Sequence, residues 1–149
     1  MLAEPTTSWL LGGGNVELST ACVEAFLEHL IPAGMVWEAV PALGAAVWIP
    51  PSGADVRALA QRSERAVLEG IATAAQRYDD FWAWSDTMLA GGEVWELNAI
   101  AVDARCRSRG IGSALIQAGL ARAGVEGAGA VLETGDPRNV RLYEKCGFE

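Results

Sequence analysis

Histidine is almost missing from this chain. His29 is the only one among 149 residues. It lies in an amphipathic stretch where a packing role is the ordinary one, so histidine-based triads and His-rich metal sites are excluded. Cysteine is scarce too: Cys22, Cys106 and Cys146 are widely spaced, odd in number and without a C-x-x-C. That pattern fits free thiols in a reducing compartment, the cytoplasm by default, rather than a disulfide framework or a zinc site. No apolar run is long enough for a membrane span, and the opening MLAEPTTSWLLGGGN lacks the basic start of a signal peptide. Positive charge is also short, with 11 Lys and Arg against 19 Asp and Glu, a net charge of −8. Residues 1–104 hold 4 basic and 14 acidic side chains, whereas 105–149 hold 7 and 5. The front therefore repels nucleic acid and suits cations or plain solvent, and the back third tolerates an anionic ligand. No nucleic-acid or membrane partner is expected.

What is present is apolar material: 51% of the residues are hydrophobic. A chain of this length suits one domain, 1–149, burying about two thirds of its unfolded surface. Apolar positions 16, 23, 26, 27, 30 and 31 form a helical stripe over 16–31, closed by Pro32 and Gly34. MVWEAV (35–40) and AAVWI (45–49) read as strands around a turn at 41–44. Asp55 to about Arg77 reads as one helix, followed by the aromatic stretch YDDFWAWSDTML. WELNAIAV (95–102) is the best strand, AVLET (130–134) a shorter one, and Asp136-Pro137 opens a last helix that Gly147 stops. The order α, β, β, α, β, α, β, α predicts a mixed α/β (α+β) fold.

Between strand 95–102 and an apolar helix pattern at Ile111, Ala114, Leu115, Ala118 and Ala121 lies RCRSRGIG. Strand, loop, Gly-x-Gly and helix is the layout of an anion site. Backbone N–H groups at a helix start are unsatisfied, and glycine lets a phosphate come close. Arg107 and Arg109 can add charge-assisted hydrogen bonds, while Arg105 reads as a solvated charge. No G-x-x-x-x-G-K-[ST] run exists, and Leu115 stands where a dinucleotide fingerprint needs its third glycine. The pattern that fits is [Q/R]-x-x-G-x-G, filled by Arg107, Ser108, Arg109, Gly110, Ile111 and Gly112.

IAVDARCRSRGIGSAL, then VLET, then RNVRLYEKCGFE, in that order, resembles the GNAT superfamily of acyl-CoA-dependent N-acetyltransferases. Within it, the PRN-to-GF ending and AAVWIPP resemble the puromycin N-acetyltransferase branch. The resemblance implies a central, mostly antiparallel sheet flanked by helices, with acetyl-CoA as co-substrate. It implies that the main chain of Ile100, Ala101 and Val102 pairs with the pantetheine arm, and that Arg107 to Gly112 wrap the pyrophosphate with Ser113 in the first helical turn. Asn139 and Tyr143, four apart on the last helix, share one face. In the family, a tyrosine placed like Tyr143 protonates the leaving thiolate.

An amine must lose a proton to attack. The resemblance offers two bases for it: Glu96 near the start of the central strand and Glu133 on the neighbouring strand, either of which could equally be a salt-bridge partner. Asp79, Asp80, Phe81, Trp82, Trp84 and Asp86 suit a cationic or aromatic small-molecule amine, or equally a packed core. Cys106 and Cys146 lack the histidine partner of a nucleophile, which points to direct attack in a ternary complex. Three features depart from the family. Asp136 stands where many members carry Asn. No first strand is found before residue 16, and the sequence closes at Gly147-Phe148-Glu149, ahead of the family's last two strands. The expected sheet therefore has open edges that a partner subunit, as in a homodimer, would cover. A non-catalytic acyl-CoA-binding or regulatory module and a plain protein-interaction domain are the alternatives.

Overall fold

The computed structural model describes residues 9–11, 13, 15–39, 42–89 and 93–149. The expected helix over 16–31 is α1 (Val16–Leu30), whose start is fixed by the Asn15 side chain accepting from the Leu18 N–H at 3.0 Å. Two strands follow, β1 (Val36–Ala39) and β2 (Gly44–Ile49). The turn expected between them falls partly outside the described residues, as does most of the segment in which a first strand was sought.

One expectation fails at the next step. The single helix of 55–77 is two helices, α2 (Ala54–Val67) and α3 (Ala72–Leu89). The break has a packing cause: Leu68 is fully buried as the α2 cap, and Glu69-Gly70 turn the chain so that α3 runs back along α2. Polar pairs then line the α2–α3 seam. Tyr78 donates to Glu64 at 2.7 Å, Arg65 holds Asp79 at 2.7 Å and Arg57 holds Asp86 at 2.8 Å. The aromatic stretch 78–89 belongs to α3 and is no loop.

β3 (Val94–Val102), α4 (Ile111–Val125), β4 (Gly129–Leu132) and α5 (Pro137–Cys146) complete the fold. The sheet order is β1-β2-β3-β4, antiparallel except for the parallel β3–β4 pair. Side-chain alternation divides it into two faces. Ala46, Trp48, Trp95 and Leu97 pack with Leu115, Ile116 and Ala123 of α4 and with Tyr143 and Cys146 of α5. Val47 and Ile49 pack with Phe26 and Leu30 of α1 and Ala60 of α2. The result is the mixed α/β sandwich expected from the sequence, a mostly antiparallel sheet between helices. No described helix is long and apolar enough to cross a membrane.

Two features of β3 open a cleft in the sheet. Its register against β2 slips between Val47 and Trp48, which face Ala99 and Leu97, so Asn98 is the extra residue of a bulge. Its pairing with β4 ends at Leu97 opposite Leu132. Beyond that point, among the described residues, β3 is paired with β2 alone.

Candidate functional site

The loop after β3 is built by short-range contacts. Asp103 caps a single turn at Ala104–Cys106, and its N–H donates to the Leu43 carbonyl at 2.9 Å. Arg105 folds back on Asp103, with Nη2 at 2.7 Å from the carboxylate, and these hydrogen bonds hold that carboxyl down at about 2. Arg105 is thus bound to its neighbour, while Arg107 and Arg109 are exposed and make no hydrogen bond or ion pair among the described residues. The chain reaches α4 through two left-handed residues, Ser108 at φ 61° and Gly110 at φ 81°. The second is natural for glycine, while the first costs a side-chain-bearing residue free energy.

The first bond of α4 here runs from the Ala114 N–H to the Gly110 carbonyl at 2.9 Å. The N–H groups of Ile111, Gly112 and Ser113 precede it, and like those of any helix start they have no partner within the helix and favour an anion. A Cβ at Gly112 would stand at 3.7 Å or more from Val102, Leu142 and Ile100, ordinary contact. Packing within the chain therefore does not demand glycine there. Gly44 is the opposite case: a Cβ would sit 2.9 Å from the Ala101 carbonyl, so β1–β2 pass tightly under this end of β3.

Ile100, Ala101 and Val102 are the last residues of β3 and lie on the stretch that β4 has left. Among the described residues their outer main-chain groups have no strand partner, so an extended polar chain can pair with them as a sheet neighbour would. Across the gap stands α5. Asp136 caps it by accepting from the Arg138 N–H at 2.9 Å and also holds the Arg138 guanidinium, which lowers its carboxyl. Asn would cap the helix as well, and what Asp136 adds is the ion pair with Arg138. Asn139 is half-buried and Tyr143 is 8% exposed on the same helix, its ring edge-on to Phe148 at 6.2 Å. A shallow depression of about 370 Å³ lined by Pro137, Arg138 and Arg141 flanks this helix start.

The two glutamates meet on the other face of the sheet. Glu96 is 8% exposed; its Oε2 lies 2.8 Å from Arg57 Nε, and its Oε1 accepts from Asn98 Nδ2 at 2.7 Å. Burial raises its carboxyl, Arg57 and Asn98 pull it down, and the nearby charge of Glu133 pushes it up again. Glu133 corrects an expectation: β4 stops at Leu132, so this residue is the first beyond the strand rather than within it, because pairing ends at the bulge in β3. Its Oε1 accepts a hydrogen bond from the Ser85 hydroxyl of α3, and its buried Oε2 has no partner among the described residues.

The aromatic and acidic cluster of 79–86 is also corrected. Asp79 is taken by Arg65, Asp80 accepts from Gln76 at 2.9 Å, and Asp86 is taken by Arg57. The guanidinium of Arg57 also stacks on Trp82 at 4.9 Å from the ring centre. The cation that this cluster suits is Arg57 itself, and Trp84, 53% exposed, is the ring left open. Arg57, Ser85 and Asn98 are the residues that sequence reasoning missed. Among the described residues no cluster of His, Cys, Asp or Glu has metal-binding geometry. A family model described as "Acetyltransferase (GNAT) family" matches residues 50–148, from the end of β2 through α5.

Proposed function

The chain belongs to the GNAT acetyltransferase family, and from that premise we propose that it moves an acetyl group from acetyl-CoA to the amine of a small molecule or peptide by direct attack in a ternary complex. The observation that carries the reading is one juxtaposition. The unbonded N–H groups at the start of α4 lie at the end of the β3 segment, 98–102, that β4 has left. The first suits the pyrophosphate of an acyl-CoA and the second its amide-bearing pantetheine arm, with Arg107 and Arg109 adding charge at the cradle's mouth. Asn139 flanks that cleft. The thioester of acetyl-CoA supplies the activated acetyl group.

The chain's own part is to place the amine, take its proton and return one to the thiolate. Of the two carboxylates, Glu133 presents the unpartnered oxygen and receives the proton, with Glu96 as its charged neighbour. Tyr143 gives a proton to the departing sulfur, a suitable donor because reference values are about 10 for a phenol and about 8.5 for a thiol. The reading takes residues 1–149 as one domain working in a reducing cytoplasm, consistent with the free thiols of Cys22, Cys106 and Cys146. A homodimer would cover the edges that β1 and β4 leave unpaired among the described residues.

The test is thiol release from acetyl-CoA over a panel of primary amines. Tyr143→Phe is expected to lower kcat by about 10²–10⁴-fold with little change in KM for acetyl-CoA, and Glu133→Gln to lower kcat more than Glu96→Gln. Unchanged turnover in Tyr143→Phe would remove the acid from the scheme.

A further inference from the structure

Arg57 is far in sequence from every motif of the acyl-CoA site, yet it is the most heavily engaged charge beside it. Its side chain is 12% exposed and reaches three side chains on two elements at once. Nη1 meets Asp86 of α3 at 2.8 Å, the guanidinium lies over Trp82 at 4.9 Å, and Nε meets Glu96 of β3 at 2.8 Å. Nε meets Glu96 as an ion pair without hydrogen-bond geometry, and Nη2 is buried without a partner among the described residues, as is Oε2 of Glu133. The groups facing Glu96 are few: Arg57 from α2, Asn98 on its own strand and Glu133 beyond β4, with Asp86 acting through Arg57. Its neighbour on β2, Ile49, is apolar.

We infer that Arg57 is a positioning residue for the transfer reaction: clamped by Asp86 and Trp82, its guanidinium holds the buried Glu96 as a fixed carboxylate beside Glu133. Two neighbouring carboxylates in a dry site tend to share a proton, since like charges oppose full ionisation. A pair that already shares one proton takes up a second only at a much lower pKa, which makes it a poor base for the amine. A fixed cation at Glu96 keeps that carboxylate charged to lower pH, which leaves Glu133 beside a partner that holds no proton to share. The planar fork of arginine suits the task because it addresses Asp86 and Glu96 with different nitrogens. This role rests on the acetyltransferase reading, although the hold on Glu96 can be measured without it.

The experiment follows the glutamate side-chain carboxyls by carbon NMR from pH 3 to 9, with Glu96→Gln supplying the assignment, and the pH profile of thiol release on the same proteins. Arg57→Met is expected to move the Glu96 midpoint and the acid limb of kcat/KM upward together by about one pH unit or more, the effect of withdrawing an opposite charge at close range. Arg57→Gln keeps an amide donor for the carboxylate and gives the same rise should the methionine variant not fold. Arg57→Lys recovers most of it. Arg65→Met, which breaks the exposed pair with Asp79 on the same two helices, moves neither. An unchanged Glu96 midpoint in a folded Arg57→Met or Arg57→Gln protein overturns the proposal. Absence of acetyl transfer by the wild type would fail the acetyltransferase reading alone, and the carboxyl titration would still decide what Arg57 does.

Discussion

Replacing Gly119 by alanine sets helix propensity against packing, and the structure decides the winner. Gly119 is in the interior of α4, where alanine is favoured by about 1 kcal/mol on propensity alone. A Cβ there would lie 2.0 Å from Trp48 Cε2 and 2.4 Å from Cζ2 and Nε1. Carbon atoms rest at about 3.5–4.0 Å, so ring or helix must give way by about 1.5 Å. Trp48 has nowhere to go: it is fully buried, its Nε1 donates to the Leu115 carbonyl at 3.2 Å, and Trp37 stands 6.4 Å away between ring centres. Overpacking costs about 1–3 kcal/mol, and a buried indole N–H that loses its acceptor costs about as much again. The net expectation is a loss of about 2–3 kcal/mol, read in equilibrium urea unfolding as a midpoint lower by about 1 M. Adding Trp48→Phe should return part of that loss, a coupling of about 1 kcal/mol or more. Should Gly119→Ala prove as stable as the wild type, or more so, the close seat of α4 on β2 is wrong.

Two further expectations concern charge. Burial pushes the Glu64 carboxyl up to about 7 although the Tyr78 hydroxyl bond pulls it down. The native state therefore holds an extra proton between about pH 4.3 and that value, and stability falls as pH rises through the window, by at most about 3 kcal/mol. Glu64→Gln should flatten the slope of Tm against pH from 5 to 8; an unaltered slope would assign the pH dependence elsewhere. Asp136 works in the other direction, because Arg138 and the α5 backbone lower its carboxyl. Its contribution is present above the unfolded value and lost as pH falls through the lowered one, so Asp136→Ala should lower Tm at pH 7 and merge with the wild type in strong acid.

The sheet and most helices were legible because they are written locally: caps, turns and a Gly-x-Gly between a strand and an apolar helix. Even the bulge has a signature in hindsight. In WELNAIAV the inward residues run Trp95, Leu97, then Ile100 and Val102, an alternation that slips by one at Asn98 and Ala99. The break between α2 and α3 was hidden, since Leu68 continues an apolar pattern and only its burial against Ala74, Ala75 and Tyr78 shows that the chain has turned. Least legible was the Arg57 cluster, which joins positions 57, 85, 86, 96 and 133. On α2, Arg57, Gln61 and Glu64 look like a solvated face, and nothing short of the tertiary fold brings Trp82 and Asp86 against Arg57.

Calorimetric titration of the folded protein with acetyl-CoA, beside an Arg109→Glu, Gly112→Glu double variant, tests the central claim most directly. The account predicts saturable binding by the wild type that weakens with salt and disappears in the variant, whose carboxylates stand at the mouth of the α4 cradle. Folded wild-type protein that takes up no acetyl-CoA, or a variant that binds as well as the wild type, would contradict it.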